Sequence, residues 1–247
     1  MAVLTLNTCS SQLKMNTFIT MIIPDSPWID QPLSKKKVLW LLHGLTDNAT
    51  AWLRRTRIET YAEKYGIVVI MPSFDRSFYC DDVNGQNYFT YLTHELPEYF
   101  EKVFGLSRKK EDNFIAGLSM GGYGAMKAGL TYPEKYFATG SFSGVLALEA
   151  MIEFVDPDLE KAFPFLLKEK PNFSTSKLNP VNLLSPDKDI EIYASCGLQD
   201  HLIATTQRFE DKAKVLGVKA KFVYRDGIHD WLFWDEEIEE FLRFALL

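Results

Sequence analysis

Cysteine and histidine are scarce in this chain, and their scarcity excludes several kinds of site. The 247 residues include three cysteines and four histidines. The cysteines, Cys9, Cys80 and Cys196, are odd in number and far apart, so neither a disulfide framework nor metal-ligand spacing follows from them. The histidines lack metal-ligand spacing as well. We therefore expect no metal, no disulfide, and a reducing compartment such as the cytoplasm.

Long apolar runs and an excess of positive charge are also missing. No apolar run approaches the length of a membrane span, and the first residues lack the basic and apolar segments of a signal peptide. The 27 basic and 33 acidic residues give a net charge of −6, which leaves no excess of cations to neutralise phosphates. We therefore expect a soluble, cytoplasmic protein whose partner is neither a nucleic acid nor a membrane.

What the sequence does contain is a regular alternation of strands and helices. Residues 3–10 and 14–23 alternate in polarity, which predicts an antiparallel hairpin at a sheet edge. Later apolar runs alternate with helical segments, so we predict an α/β fold with a mostly parallel central sheet and helices on both faces. The predicted strands are 38–42, 67–71, 113–118, 137–142, 190–195 and 220–224, and the predicted helices are about 50–65, 88–104, 120–131, 201–216 and 231–247.

One segment, residues 145–188, breaks this alternation because prolines and phenylalanines interrupt it repeatedly. It is either a cap over the functional site or an ordinary surface insertion. No repeat, low-complexity tract or Gly/Ser linker divides the chain. We therefore predict a single domain over residues 1–247, with 145–188 as a cap-like excursion.

Ser119 lies in the most informative motif of the chain, Gly117-Leu118-Ser119-Met120-Gly121. An apolar strand precedes the motif, and a run of small residues typical of a helix packed closely on a sheet follows it. A serine at such a sharp strand-to-helix turn exposes its hydroxyl, and the flanking glycines avoid a clash between strand and helix. The pentapeptide alone also occurs by chance, but this context favours a nucleophile elbow.

A serine hydroxyl needs a base within hydrogen-bond reach. His229 follows the last predicted strand, and the carboxyl ends of parallel strands converge on one sheet edge, so it can meet Ser119. Asp200 directly follows the penultimate strand and would fix the tautomer of His229, although a helix N-cap is an alternative role for it. Asp226 and Asp230 lie in the turn beside His229 and are expected to bond local amides. The sequence thus predicts a catalytic triad of Ser119, Asp200 and His229.

Two backbone amides are expected to bind the oxyanion that forms during acyl transfer. One belongs to Met120, directly after the nucleophile. The other belongs to Leu45, in the loop after the first buried strand, where Gly44 lets the backbone turn. His43 and Gly44 in that loop, and Trp231 among the aromatic residues near the site, are expected to contact the substrate.

Four stretches carry a resemblance that spans nearly the whole chain, namely 43–46, 115–125, 197–200 and 229–234. They resemble the esterase D-like branch of the α/β-hydrolases, and within it the bacterial tributyrin esterase group. The resemblance implies an α/β-hydrolase fold and a serine carboxylesterase for short-chain acyl esters, acetyl to butyryl, with acetylated carbohydrates among its substrates. It also implies a small-molecule ester substrate, no cofactor, and frequent homo-oligomerisation.

Two other functions stay open at this point. S-formylglutathione hydrolases belong to the same branch and resemble the chain at Gly44-Leu45-Thr46, but a cysteine is expected next and Asp47 stands there. That departure lowers the thioesterase alternative without removing it. A non-catalytic binding module on the same fold is the third hypothesis, and the intact triad residues argue against it.

Overall fold

The architecture is that of a computed structural model, which describes residues 1–24, 31–81, 85–154 and 172–247. The strands in this part of the chain are β1 Ala2–Ser10, β2 Met15–Ile23, β3 Val38–Leu42, β4 Val68–Pro72, β5 Asn113–Leu118, β6 Ala138–Phe142, β7 Glu191–Gly197 and β8 Lys221–Arg225. They form one sheet in the order β1-β2-β4-β3-β5-β6-β7-β8. Strand β2 pairs antiparallel with β1 and β4, and the other neighbouring pairs are parallel. The predicted α/β fold with an antiparallel N-terminal edge is therefore confirmed.

Burial along the strands follows their position in the sheet. Every residue of β3, β4, β5 and β6 is buried, as expected for parallel strands covered on both faces. Strand β1 instead alternates between half-buried and exposed side chains along most of its length, because it lies at the edge. The loops that follow the central strands therefore start from a rigid, fully buried support.

Helices cover both faces of the sheet. They are α1 Ala51–Arg55, α2 Ile58–Tyr65, α3 Tyr88–Thr90, a π-helical turn Tyr91–Glu95, α4 Leu96–Phe104, α5 Met120–Thr131, α6 Leu148–Phe154, α7 Ile203–Leu216 and α8 Trp231–Leu246. Phe100 of α4, Met126 of α5 and Phe209 of α7 belong to the core on one face. Tyr61 of α2 and Phe241 of α8 belong to the core on the other. Two hydrophobic layers thus enclose the sheet.

The helical character predicted around residues 50–65 takes the form of two short helices, α1 and α2. The Thr56 hydroxyl donates to the carbonyl of Trp52 at 2.6 Å. The next amide, that of Arg57, donates to Asp235 Oδ1 of α8 at 2.8 Å. In a continuous helix the Arg57 amide would donate to the carbonyl four residues earlier. Here it donates instead to Asp235, a side chain far away in sequence, and the helix is interrupted.

The helical stretch over 88–104 is present, and its hydrogen bonding changes just before Pro97. Proline has no amide hydrogen to donate to the carbonyl four residues earlier, which here belongs to Thr93. That carbonyl accepts a hydrogen bond from Lys135 Nζ at 2.9 Å, and the turn around it is π-helical. The irregularity at Pro97 is thus accommodated by a widened turn and a lysine from outside the helix.

The excursion over 145–188 falls partly outside the described residues, which omit 155–171. Its described ends are bonded together through Asn179, which is fully buried. Asn179 Oδ1 accepts from the Leu148 amide at 3.0 Å, and Asn179 Nδ2 donates to the Phe173 carbonyl at 3.0 Å. A role of this segment as a cap stays a prediction. No helix in the described part of the chain is both long and apolar enough to cross a membrane.

Candidate active site

Ser119 lies at the turn between β5 and α5, with backbone angles of φ 51° and ψ −118°. Positive φ is costly for a residue with a side chain and persists only where the surroundings enforce it. A Cβ added to Gly117 would lie 2.5 Å from the carbonyl carbon of Gly121, and one added to Gly121 would lie 2.4 Å from the Leu42 carbonyl oxygen. Only glycine fits at these two positions, so the strand and the helix approach closely enough to force the sharp turn.

His229, Asp200 and Ser119 lie within hydrogen-bond distance of one another in the expected order. His229 Nε2 is 3.0 Å from Ser119 Oγ, and His229 Nδ1 is 2.9 Å from Asp200 Oδ2. An ionised carboxylate can only accept, so Nδ1 carries a hydrogen and donates it. Nε2 of the neutral ring is then free to accept the serine hydroxyl hydrogen.

The Asp200 carboxylate is fully buried but well supplied with donors. Oδ1 accepts from the Leu202 amide at 2.8 Å, and Oδ2 accepts from His229 Nδ1 at 2.9 Å. Burial acts to raise the pKa of Asp200, but the hydrogen bond and charge of His229, together with the other donors, outweigh it and hold the pKa below its ordinary value. Asp200 is therefore ionised at neutral pH.

The two rival carboxylates bond elsewhere. Asp230 caps α8, since its Oδ1 accepts from the Phe233 amide at 3.0 Å. Asp226 is exposed, and its Oδ1 lies 3.5 Å from Gln199 Nε2. Neither is bonded to His229 among the hydrogen bonds of the described residues, which leaves Asp200 as the carboxylate in contact with the ring.

A second histidine, His201, lies next to the first. Its ring centroid is 4.7 Å from that of His229, and its Nδ1 is 3.7 Å from Asp200 Oδ1. In the described part of the chain, ligand atoms of Asp200, His201 and His229 lie within 4.8 Å of one another, close enough to consider a metal ion. Asp200 Oδ2 and His229 Nδ1 already form a hydrogen bond with each other, so the arrangement suits proton transfer.

The two amides expected to bind an oxyanion belong to the residue after Ser119 and to the loop after β3. Met120 is the first residue of α5, so its N–H has no acceptor within the helix. Leu45 follows Gly44, whose added Cβ would lie 2.7 Å from Leu118 Cδ1 and 3.8 Å from Ser119 Cβ. The absence of a side chain at Gly44 therefore lets the Leu45 loop lie against the nucleophile.

His43 is placed differently from the expectation that it contacts the substrate. Its side chain is buried, and both ring nitrogens bond to backbone groups. Nε2 accepts from the Phe74 amide at 2.8 Å, which leaves Nδ1 to donate to the Gly44 carbonyl at 2.7 Å. Burial lowers the pKa of His43, although the bond to Gly44 acts in the opposite direction. The neutral ring thus supports the loop from behind.

Three tryptophans pack in a row beside the triad. Trp231 is half-buried and meets Trp52 and Trp234 edge-on, with ring centroids 5.4 Å and 5.3 Å away. Trp234 in turn meets the His229 ring at 4.9 Å and donates its Nε1–H to Ser143 Oγ at 3.1 Å. Sequence reasoning missed the contacts that Trp234 makes with His229 and Ser143. The only signal for Ser143 was its position at the end of a predicted strand, next to a glycine.

Esterases and related hydrolases are among the proteins similar to this chain. The model of the Esterase family matches residues 10–245. An acetyl esterase of Caldicellulosiruptor saccharolyticus is 32% identical over an alignment of 262 positions, which covers 96% of each chain.

Solved structures give the same result. A fluorophosphonate-binding serine hydrolase of Staphylococcus aureus, FphF, solved with substrate bound, is 31% identical with a TM-score of 0.86, covering 100% of this chain and 98% of that one. An S-formylglutathione hydrolase of the same organism, FrmB, is 31% identical with a TM-score of 0.85, covering 100% and 99%. The chain therefore belongs to the Esterase family and is a carboxylic ester hydrolase with the α/β-hydrolase fold.

Proposed function

We propose that the chain hydrolyses short-chain acyl esters, from acetyl to butyryl and including acetylated carbohydrates, through an acyl-enzyme on Ser119. The observation that carries the proposal is the pair of distances at His229, 3.0 Å to Ser119 Oγ and 2.9 Å to Asp200 Oδ2. A base held in this way can take the proton of a serine hydroxyl and return it to a leaving group.

The reaction proceeds in two halves. First, Ser119 Oγ attacks the ester carbonyl while His229 Nε2 takes the hydroxyl proton. His229 then returns that proton to the alcohol oxygen as the carbon–oxygen bond breaks, and the acyl group stays on Ser119. Water next attacks this acyl-enzyme, gives a proton to the same nitrogen, and releases the carboxylic acid as Ser119 regains its hydrogen. Asp200 stays ionised and stabilises the transient imidazolium.

The amides of Leu45 and Met120 are the donors we propose for the oxyanion. The Met120 N–H lies at the N-terminus of α5, where the helix dipole also favours negative charge. The Leu45 loop is fixed by His43, whose hydrogen bonds tie Gly44 to Phe74. His43 is thus a positioning residue in this proposal, whereas Gly44 contributes by leaving space beside Ser119.

Trp231 is the residue we propose to line the acyl pocket, because it is half-buried beside Trp52 and Trp234. Phe74 and Tyr79, two aromatic residues that follow β4, are fully buried and pack on each other with ring centroids 4.5 Å apart. They also pack against His43. Their contribution is therefore to the loop that holds the oxyanion donor rather than to a pocket surface.

Hydrolysis of S-formylglutathione is a second candidate, favoured by the similarity to the S-formylglutathione hydrolase of Staphylococcus aureus. The residue that follows Thr46 favours an ester substrate over S-formylglutathione. Asp47 stands there, and its Oδ2 lies 3.0 Å from where a Cβ of Gly44 would be. This carboxylate lies beside the loop of the oxyanion donor, where it would repel the carboxylates of a glutathione thioester.

A substrate panel separates the two candidates. The kcat/KM values are measured on p-nitrophenyl acetate, butyrate and laurate, on acetylated sugars, and on S-formylglutathione. We expect acetate and butyrate to be cleaved at least about tenfold faster than laurate, because a chain too long for the pocket loses binding sharply. A kcat/KM highest for S-formylglutathione would overturn the ester assignment. Equal values for butyrate and laurate would mean an open groove.

A further inference from the structure

Lys127 is a buried cation in α5, the helix that begins directly after Ser119, and it is only 3% exposed. Its Nζ donates to the Tyr79 carbonyl at 2.8 Å and to Cys80 Sγ at 3.1 Å, and it lies 4.2 Å from the centre of the Phe89 ring. Burying a charge is costly unless the charge is hydrogen-bonded or paired. The chemistry of ester hydrolysis does not use this ammonium group, so its burial calls for another role.

The segment that Lys127 holds has an unfavourable backbone conformation. Phe78 and Tyr79 have φ angles of 49° and 50°. Such angles are costly for residues with side chains and persist only where the surroundings enforce them. Besides accepting from Lys127 at its carbonyl, Tyr79 packs its ring directly on α5, since a Cβ added to Gly124 would lie 2.4 Å from Tyr79 Cγ. Helix α5 therefore fixes both the backbone and the ring of Tyr79.

The Tyr79 hydroxyl reaches the loop that carries the Leu45 amide. It donates to the His43 carbonyl at 2.8 Å and so holds the peptide plane between His43 and Gly44. The His43 ring holds the next plane, because its Nδ1 donates to the Gly44 carbonyl at 2.7 Å. A peptide bond is planar, so fixing the Gly44 carbonyl also fixes the Leu45 N–H. Gly44 itself restricts its backbone little, and both planes therefore need these external hydrogen bonds.

We propose that Lys127 and Tyr79 are positioning residues of the oxyanion site, which hold the Leu45 N–H at a fixed place relative to α5. The inference rests on the proposed function. Helix α5 supplies the Met120 N–H at its start and Lys127 about two turns later. Both oxyanion donors are thus set by the helix that follows the nucleophile. Lys127 and Tyr79 are buried, so they act through the loop and not by touching the substrate.

The first test is the Tyr79→Phe variant, which removes the hydroxyl and keeps the ring on α5. We expect kcat on p-nitrophenyl acetate to fall about 3- to 10-fold, the range for loss of one neutral hydrogen bond. KM should stay within about twofold, because the oxyanion forms only in the transition state. Tyr88→Phe is the matched control, since Tyr88 is also buried and its hydroxyl donates to Asp75 Oδ2 at 2.7 Å. Its kcat should stay within about twofold of wild type.

A trifluoromethyl ketone inhibitor separates positioning from a general loss of structure. It forms a tetrahedral adduct with a serine nucleophile, and the adduct carries negative charge on the former carbonyl oxygen. Its inhibition constant should rise in Tyr79→Phe by about the same factor as kcat falls, and stay within about twofold in Tyr88→Phe. An unchanged inhibition constant in Tyr79→Phe beside a lowered kcat would overturn the role in the oxyanion site.

A second variant, Lys127→Met, removes the ammonium group and keeps an unbranched side chain. We expect kcat to fall about 3- to 10-fold here as well. Combined with Tyr79→Phe, it should cost no more than about twofold beyond the larger single loss, because residues that act through one loop are not additive. Losses that multiply would overturn the path from Lys127 through Tyr79. The Tyr79→Phe variant keeps every carbon of its side chain and tests the proposal even if Lys127→Met does not fold.

The proposed function can fail separately from this inference. A wild-type kcat in Tyr79→Phe, while Ser119→Ala is inactive, would overturn the positioning role and leave the proposed function standing. An active Ser119→Ala variant would instead refute the proposed function.

Discussion

Replacing Asp200 by asparagine tests which carboxylate orients His229. The change keeps the size of the side chain but replaces an acceptor oxygen by an amide that donates. His229 Nδ1, 2.9 Å from Asp200 Oδ2, can no longer donate there. The ring then carries its hydrogen on Nε2, which faces Ser119 Oγ at 3.0 Å. In that tautomer His229 cannot take the serine proton.

The expected loss follows from this wrong tautomer. We predict that kcat on p-nitrophenyl acetate falls by about 10³–10⁴, equivalent to about 4–5.5 kcal/mol of transition-state stabilisation. Folding is checked by circular dichroism, because Asp200 is buried and also accepts from the Leu202 amide. The buried position makes this check necessary before any loss of kcat is assigned to the chemistry.

Two matched variants complete this experiment. Asp230→Asn keeps a good N-cap for α8, and Asp226→Asn changes an exposed side chain. Each should cost well under about a hundredfold in kcat, mostly through local stability. A large loss of kcat in Asp226→Asn, together with a nearly wild-type kcat in Asp200→Asn, would refute the assignment of Asp200 as the catalytic acid.

Two further predictions concern the buried His43. His43→Phe should lower the free energy of unfolding by about 2–6 kcal/mol, because the Phe74 amide and the Gly44 carbonyl each lose a partner; a urea-denaturation difference under about 1 kcal/mol would contradict this. Because burial lowers the pKa of His43 in the folded state, the unfolded chain binds a proton there first, so stability should decrease as pH falls below about 6.5. His43→Gln should reduce that slope between about pH 7 and 5, and an unchanged slope would count against the neutral buried ring.

The parts of the fold that the sequence predicts well are those in which local pattern and burial agree. The bounds of β5 match the predicted 113–118, and α5 ends at Thr131 as predicted, because a mostly apolar strand, an elbow and a small-residue helix leave little freedom. The break at Thr56 could not be predicted in the same way. It depends on Asp235, which lies far away in sequence and accepts from the Arg57 amide.

In the candidate site too, some features follow from local sequence pattern and others depend on contacts between distant residues. Ser119, Asp200 and His229 each follow a strand that pattern alone identifies, and the carboxyl ends of parallel strands meet at one edge. The placement of His43 depends on the Phe74 amide, and the contacts of Ser143 depend on Trp234 in the last helix. These contacts join loops from different strands, so no spacing in the sequence reports them.

The central claim, that Ser119 is the nucleophile, is tested most directly by kcat of the purified Ser119→Ala variant on p-nitrophenyl acetate. The change removes one oxygen at the elbow. Because alanine keeps the Cβ, the cost of holding the backbone at φ 51° stays the same. We predict a fall in kcat of about 10⁴ or more with an unchanged circular dichroism spectrum, since the triad acts as a unit through that oxygen. Retention of about a tenth of the wild-type kcat by a pure, folded sample would contradict the account.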